Sequence, residues 1–274
     1  MHPLFVLIGP TAVGKTRISI EIAQKINGEI ISGDSMQVYR YLNIGTAKIK
    51  PEETQGITHH LLDIKEPTEN FSVAEFKKMA EEKIEEIVNR NKFPMLVGGT
   101  GLYVNSVIND YNFVPESSNQ IREELKKIAR EQGIEVLLSK LKKVDPISAE
   151  KFHPHDQRRI IRALEVYYST GKPITVYHND FSGQNTNSKY KLIMVGLNMN
   201  REKLYERINL RVDKMLEEGW LSEIEQLLKN GIPTDAPALQ GLGYKQLVLY
   251  LQGSISLEKA VELIKRDTRR FAKR

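Results

Sequence analysis

Cysteine is absent from the 274 residues, which excludes disulfides, thiolate metal sites and a cysteine nucleophile. Long apolar runs are missing as well. None approaches the ~20 residues that a membrane-spanning helix needs. The opening stretch, MHPLFVLIGP, has no basic leader and runs straight into a motif, so it does not read as a signal peptide. The compartment expected on these grounds is the cytoplasm. Neither sign of charge is scarce: 40 Lys and Arg against 35 Asp and Glu leave +5. That balance permits a nucleic-acid partner without requiring one. No internal repeat or low-complexity tract is visible. With 40% hydrophobic and 27% charged residues the chain has an ordinary globular composition, and its length suits one large domain or two modest ones.

The strongest positive signal is GPTAVGKT, residues 9–16. Gly9, four intervening residues (Pro10, Thr11, Ala12, Val13), then Gly14, Lys15 and Thr16 spell a phosphate-binding loop. Its glycines let backbone N–H groups converge on phosphate oxygens at a helix N-terminus, where the dipole favours negative charge. Lys15 adds a mobile cation, and the Thr16 hydroxyl is a Mg²⁺ ligand candidate. The apolar run LFVLI precedes the loop, and a helix reading follows from 15 to about 26, with Ile18, Ile22 and Ile26 on one face.

A second lack appears here. A nucleoside triphosphatase also carries an acidic residue at the end of a second apolar strand to help hold Mg²⁺. The later strand, FPMLVGGTG, ends in glycines. The acid comes early instead, as Asp34 in GDSMQVYR, just past the strand EIIS. In a parallel sheet that is the ligand-binding edge. Asp34 can be read as a Mg²⁺ ligand, a general base or a turn former in Gly33-Asp34-Ser35. Thr100, in GGTGLY, falls at the same edge, within reach of either the phosphates or Asp34.

Strands also read at LLDI (61–64) and at YKLIMVGL (190–197). A helix over about 72–89 is announced by Ser72 as N-cap with Glu75 closing a capping box. Strand–helix alternation predicts an α/β fold, a P-loop NTPase-like parallel sheet flanked by helices. From about 115 to 172 the signals are helical and highly charged. The expected organisation is therefore an α/β core from 1–114 and 190–274, with an inserted all-helical domain at 115–189. The polar stretch DFSGQNTNSK (180–189) reads as a mobile loop. The stripe of Leu204, Ile208, Met215 and Leu216 reads as core, as does Trp220. Adjacent His59 and His60 lack a third ligand at suitable spacing and read as packed or hydrogen-bonded side chains. Arg158, Arg159 and Arg162 form a basic cluster that is either an RNA surface or a solvated helix face.

GPTAVGKT, GDSMQVYR, HHLLDI, GGTGLY, DPISAEKFHPHDQRRIIRALEVYYSTGKP, LYERINLRVDKMLEEGW, QGLGYKQ and RDTRRFAKR, in this order, resemble the tRNA dimethylallyltransferases. The resemblance spans residues 4–274 and implies transfer of a dimethylallyl group from its diphosphate to N6 of adenine-37 of tRNA. Members of that family usually run a few tens of residues beyond the arginine-rich helix, where this sequence ends at Arg274. The resemblance implies Asp34 as the base that takes the N6 proton, with Thr100 beside the substrates. It also implies that residues 9–16 bind the diphosphate, with Arg207 and Arg211 as further phosphate contacts and Mg²⁺ as cofactor. The RNA contacts it implies are Asp34, Ser35, Met36, Gln37, Thr100, Arg122, Gln157, Arg158, Arg159, Ile160 and Ile161. A loop without the second acidic strand suits a departing diphosphate. Competing readings are a small-molecule P-loop kinase, a nucleotide-switched RNA-binding protein, and a prenyltransferase for free adenine nucleotides. The tRNA reading predicts a membrane-free, monomeric enzyme.

Overall fold

The computed structural model describes residues 1–109, 119–178 and 189–273. The chain divides into two compact units, one comprising Met1–Ile108 with Ser188–Arg274 and the other Asn109–Asn187.

The first unit is built on a five-stranded sheet. Strands β1 (His2–Ile8), β2 (Gly28–Ser32), β3 (His59–His60), β4 (Phe93–Gly98) and β5 (Tyr190–Gly196) run in the order β3-β2-β4-β1-β5. Every pairing is parallel, with Phe5 opposite Met95 and Val6 opposite Met194. Successive side chains on a strand point to opposite faces, and here each face has its own cover. Leu4, Val6, Ile31 and Leu96 pack with Phe76, Ala80, Ile84 and Ile87 of α2 (Val73–Asn89) and Val104 and Val107 of α3 (Gly101–Ile108). Phe5, Leu7, Ile30 and Met95 pack with Ile20 and Ala23 of α1 (Lys15–Ile26). The buried positions of α1 are Ser19, Ile20 and Ala23, while Ile26 is exposed. The isoleucine spacing therefore placed the buried face about one residue off. Ser72 and Glu75 do form the capping box at the start of α2.

The segment LLDI is not a strand. The short strand lies just before it at His59–His60, and Leu61 and Asp63 hold positive φ of 62° and 53°. A backbone alternating into that region cannot continue a ladder. The histidines are spoken for: His59 Nδ1 lies 2.9 Å from the Ile57 carbonyl and His60 Nε2 lies 2.7 Å from Glu29. Among the described residues no acidic and histidine cluster suited to a metal ion occurs.

After β5 the unit continues as α9 (Arg201–Glu217), α10 (Trp220–Lys229), α11 (Tyr244–Leu251) and α12 (Leu257–Ala272). Val212, Met215, Trp220, Ile224, Tyr244, Leu247 and Ile264 form a further core that takes in Val38, Tyr39 and Leu42 from the loop after β2. Asn209 and Asp213, one helical turn apart on α9, meet Arg269 at 2.7 Å and Lys265 at 2.6 Å on α12.

The second unit contains α4 (Asn119–Gln132), α5 (Ile134–Val144), α6 (Pro146–Lys151), α7 (Gln157–Thr170) and α8 (Ile174–His178), and no strand among its described residues. Its core is Leu125, Leu137, Leu141, Ile160, Ile161, Ala163 and Leu164. Two carboxylates, each 1% exposed, organise it. Asp145 accepts from the backbone and hydroxyl of both Ser148 and Thr175, at 2.9–3.2 Å. Glu165 takes a two-pronged contact from Arg122 at 2.9 and 3.0 Å and a third from Arg162 at 2.9 Å. Positions 180–188 of the anticipated mobile loop lie outside the described residues. No helix among the described residues is long and apolar enough to cross a membrane.

Candidate active site

The carboxyl ends of β1, β2 and β4 converge on one cavity of about 480 Å³ within the first unit. Residues 9–14 link β1 to α1, and Gly14 caps that helix at φ 106°, a conformation a side chain would strain. Val13 is buried against Leu204 and Ile208 and so fastens the loop to α9. Gly98 closes the neighbouring corner. A Cβ there would collide with the backbone of Gly33, so the ends of β2 and β4 approach closely because residue 98 is glycine. Gly33 donates to Val97 at 2.8 Å, and Thr100 donates back to Gly33 at 3.3 Å. These bonds set Asp34 and Thr100 side by side: the Thr100 hydroxyl accepts from Ser35 N–H at 3.2 Å. Asp34 uses Oδ1 to close its own turn, accepting from Met36 N–H at 2.8 Å. Its Oδ2 has no hydrogen-bond partner among the described residues.

Opposite the carboxylate stand cations without counter-ions. Among the described residues Lys15 donates only to the carbonyls of Gly9 and Pro10, at 2.8 and 2.9 Å. Burial pulls its pKa down to about 8, Asp34 partly restoring it and Arg211 lowering it further. Arg211 is half-buried and makes neither hydrogen bond nor ion pair among the described residues. Burial lowers its pKa, the Asp34 carboxylate opposing the change. Arg207 lies one turn earlier on α9, exposed, at the mouth near Gly14. A pocket holding two cations that lack an ion pair among the described residues, beside a half-free carboxylate, is arranged for an anion and a group that gives up a proton.

Lys15, Thr16, Asp34, Ser35, Met36, Gln37, Thr100, Arg207 and Arg211 all line this cavity. The apolar wall was not anticipated. Val212, Met215, Leu242, Ile264 and Phe271 complete the lining, so part of the stripe read as core borders a ligand space. One helix serves both, with Arg207 and Arg211 alternating with Val212 and Met215. Gly45, Thr46 and Ala47 also line it, a loop with no local signature.

In the helical unit Gln157, Arg158 and Arg159 form the exposed first turn of α7, behind an Asp156 cap that accepts from Arg159 N–H at 3.2 Å. Cations there oppose the helix dipole. Ile160 and Ile161 are buried and pack the unit. Arg122 is committed to Glu165 and presents only its remaining edge to solvent.

The sequence profile of the IPP transferase family matches residues 37–274. The chain belongs to the IPP transferase family. Similar proteins include the tRNA dimethylallyltransferase of Carboxydothermus hydrogenoformans, 53% identical over 99% of this chain and 86% of its own length. That of Bacillus licheniformis is 49% identical over 99% of this chain and 86% of its own length. Among solved structures, the tRNA isopentenylpyrophosphate transferase of Bacillus halodurans superposes with TM-score 0.72 at 46% identity, covering 100% of this chain and 85% of that one. A eukaryotic dimethylallyltransferase caught acting on tRNA gives TM-score 0.83 at 35% identity, covering 100% of this chain and 68% of that one. Membership of the IPP transferase family fits the α/β fold with its phosphate loop.

Proposed function

We propose that the chain transfers the dimethylallyl group of dimethylallyl diphosphate to N6 of adenosine-37 in tRNA and releases diphosphate. The observation that carries this reading is the pairing, in one cavity, of two cations without an ion pair among the described residues with the half-free Asp34 carboxylate. The names and activities of the relatives supply the substrates; the cavity supplies a place for each to react.

The exocyclic amine of adenine is a weak nucleophile because its lone pair is delocalised into the ring. N6 attacks C1 of the dimethylallyl group, and the C1–O bond breaks with its electron pair leaving on the diphosphate. The N6 proton passes to Asp34 Oδ2. The Thr100 hydroxyl holds Ser35 N–H and with it the turn that aims the carboxylate. Lys15, Arg207, Arg211 and the N–H groups of the loop meet the charge that grows on the leaving group. The Mg²⁺ expected from the loop motif fits the donors present. The Thr16 side chain is exposed at the cavity and its hydroxyl has no partner among the described residues, while a diphosphate brings the remaining oxygens. Bound there, Mg²⁺ neutralises charge on the diphosphate. All cavity residues come from one unit of one chain, so a single copy suffices.

For RNA, the target base leaves its stack to reach Asp34, bordered by Ser35, Met36 and Gln37. The exposed turn of Gln157, Arg158 and Arg159 is the further contact we assign. Cations kept at a helix N-terminus against the dipole are stabilised by backbone phosphate.

The test is transfer of labelled dimethylallyl from its diphosphate to unmodified tRNA with Mg²⁺, followed by nucleoside analysis. Label on N6 of adenosine-37, with one diphosphate released per adduct, is the expected result. No label in RNA, together with ADP formed from ATP, assigns the chain to the P-loop kinases instead.

A further inference from the structure

Glu223 is an acidic side chain in the first turn of α10 that serves a segment far from its own helix. Its Oε2 accepts from the backbone N–H groups of Asn43 and Ile44, both at 2.8 Å. Its Oε1 accepts from Gly45 N–H at 3.4 Å and from the Tyr244 hydroxyl at 2.6 Å. Tyr244 is 1% exposed, and burial together with the Glu223 carboxylate drives its pKa upward, so the phenol remains a donor. One carboxylate on α10, itself held by the Tyr244 hydroxyl of α11, thus grips three consecutive N–H groups of one loop. Gly45 is required there, since a Cβ would overlap the Trp220 indole and lie 2.6 Å from the Tyr244 ring.

The gripped loop carries its position onward. The carbonyls of Thr46 and Ala47 accept from Gln37 Nε2 at 3.2 and 3.4 Å. Gln37 Oε1 in turn accepts from the Ser32 hydroxyl at 3.0 Å. Gln37 therefore hangs between the end of β2 and the loop that Glu223 holds, and both Gln37 and the loop line the cavity. Ala47 sits at φ 45°, a conformation that persists only where its surroundings impose it.

We propose that Glu223 is a positioning residue for the target base: by fixing residues 43–45 it sets the carbonyls that orient Gln37, without itself touching either substrate. This rests on the function proposed above. The diphosphate end of the cavity hangs on α1 and α9, with which Glu223 makes no hydrogen bond or ion pair among the described residues.

The test is steady-state kinetics with tRNA and dimethylallyl diphosphate for wild type, Glu223→Ala, Glu223→Gln, Gln37→Ala and the double variant. Glu223→Ala is expected to lower kcat/KM for tRNA about tenfold, with KM for the diphosphate within about twofold of wild type. Glu223→Gln, which keeps one oxygen for the Asn43 and Ile44 N–H groups, recovers to within about threefold. In the Gln37→Ala background the Glu223→Ala change costs less than about threefold, because its effect runs through Gln37. A general weakening of the fold would instead multiply the two losses. Additive losses, or a folded Glu223→Ala enzyme with unchanged kcat/KM for tRNA, overturn the proposal. If Glu223→Ala does not fold, the same cycle with Glu223→Gln decides, its loss of about threefold vanishing in the Gln37→Ala background or not. Wild type that labels no RNA would instead sink the proposed function.

Discussion

The core of the helical unit and the ligand cavity of the α/β unit treat buried charge in opposite ways. In the helical unit Asp145 and Glu165 are as buried as leucines, yet both oxygens of each are hydrogen-bonded, with four donors on Asp145 and three on Glu165. In the α/β unit Lys15 rests on two carbonyls and half-buried Arg211 has no partner among the described residues. A buried charge that is fully paired stabilises one arrangement of helices. A desolvated charge without a counter-ion destabilises the empty protein, and persists where a ligand supplies the missing partner. Pairing, more than burial, separates the charges that hold the fold from those reserved for chemistry.

Each side of that contrast can be broken by substitution. The largest effect belongs to the proton acceptor. Asp34→Asn is expected to lower kcat by about 10³-fold while leaving diphosphate affinity unchanged, measured by single-turnover transfer and by calorimetric titration. Next, Lys15→Ala should cost about 10²-fold in kcat/KM for dimethylallyl diphosphate. In the helical unit the effect moves from rate to stability. Asp145→Ala strands the Ser148 and Thr175 donors and should destabilise by about 3 kcal/mol in denaturant unfolding. Arg211→Met, which removes an unpaired cation, should leave unfolding unchanged or make it harder while slowing transfer.

The smallest effect is a pH dependence. The folded pKa of Lys15, about 8, lies below its ordinary 10.5, so the unfolded chain binds more protons between those values. Stability linked to this group therefore rises as pH climbs from 8 to 10.5, and the penalty is fully present below pH 8. Lys15→Met should abolish that rise in urea titrations at several pH values.

Much of this was legible in the sequence, and what was not has a common cause. GPTAVGKT declares its own conformation because glycine spacing, preceding strand and following helix are all local. The position of Asp34 after a strand sufficed to place it at the ligand edge of the sheet. LLDI misled because a short apolar run carries no information on whether φ stays negative, and Leu61 and Asp63 do not keep it so. The grip of Glu223 on residues 43–45 joins positions about 180 apart in sequence, and nothing nearby in the chain marks it. Ile208 and Met215 read as core for the same reason: a stripe shows that a face is covered, not whether protein or substrate covers part of it. Ile160 and Ile161, taken with Gln157–Arg159 as one RNA-facing run, divide at the first helical turn into exposed and buried halves.

The most direct test of the contrast is the proton balance of diphosphate binding. Burial holds the Lys15 pKa down at about 8, and an anion beside it favours the charged form. Titration calorimetry with dimethylallyl diphosphate in buffers of different ionisation enthalpy should show net proton uptake at pH 8. The uptake should fade towards pH 6 and be lost in Lys15→Met. Binding with no proton uptake at pH 8, or with uptake that survives in Lys15→Met, would contradict the claim that this cavity keeps its lysine unpaired for the departing diphosphate.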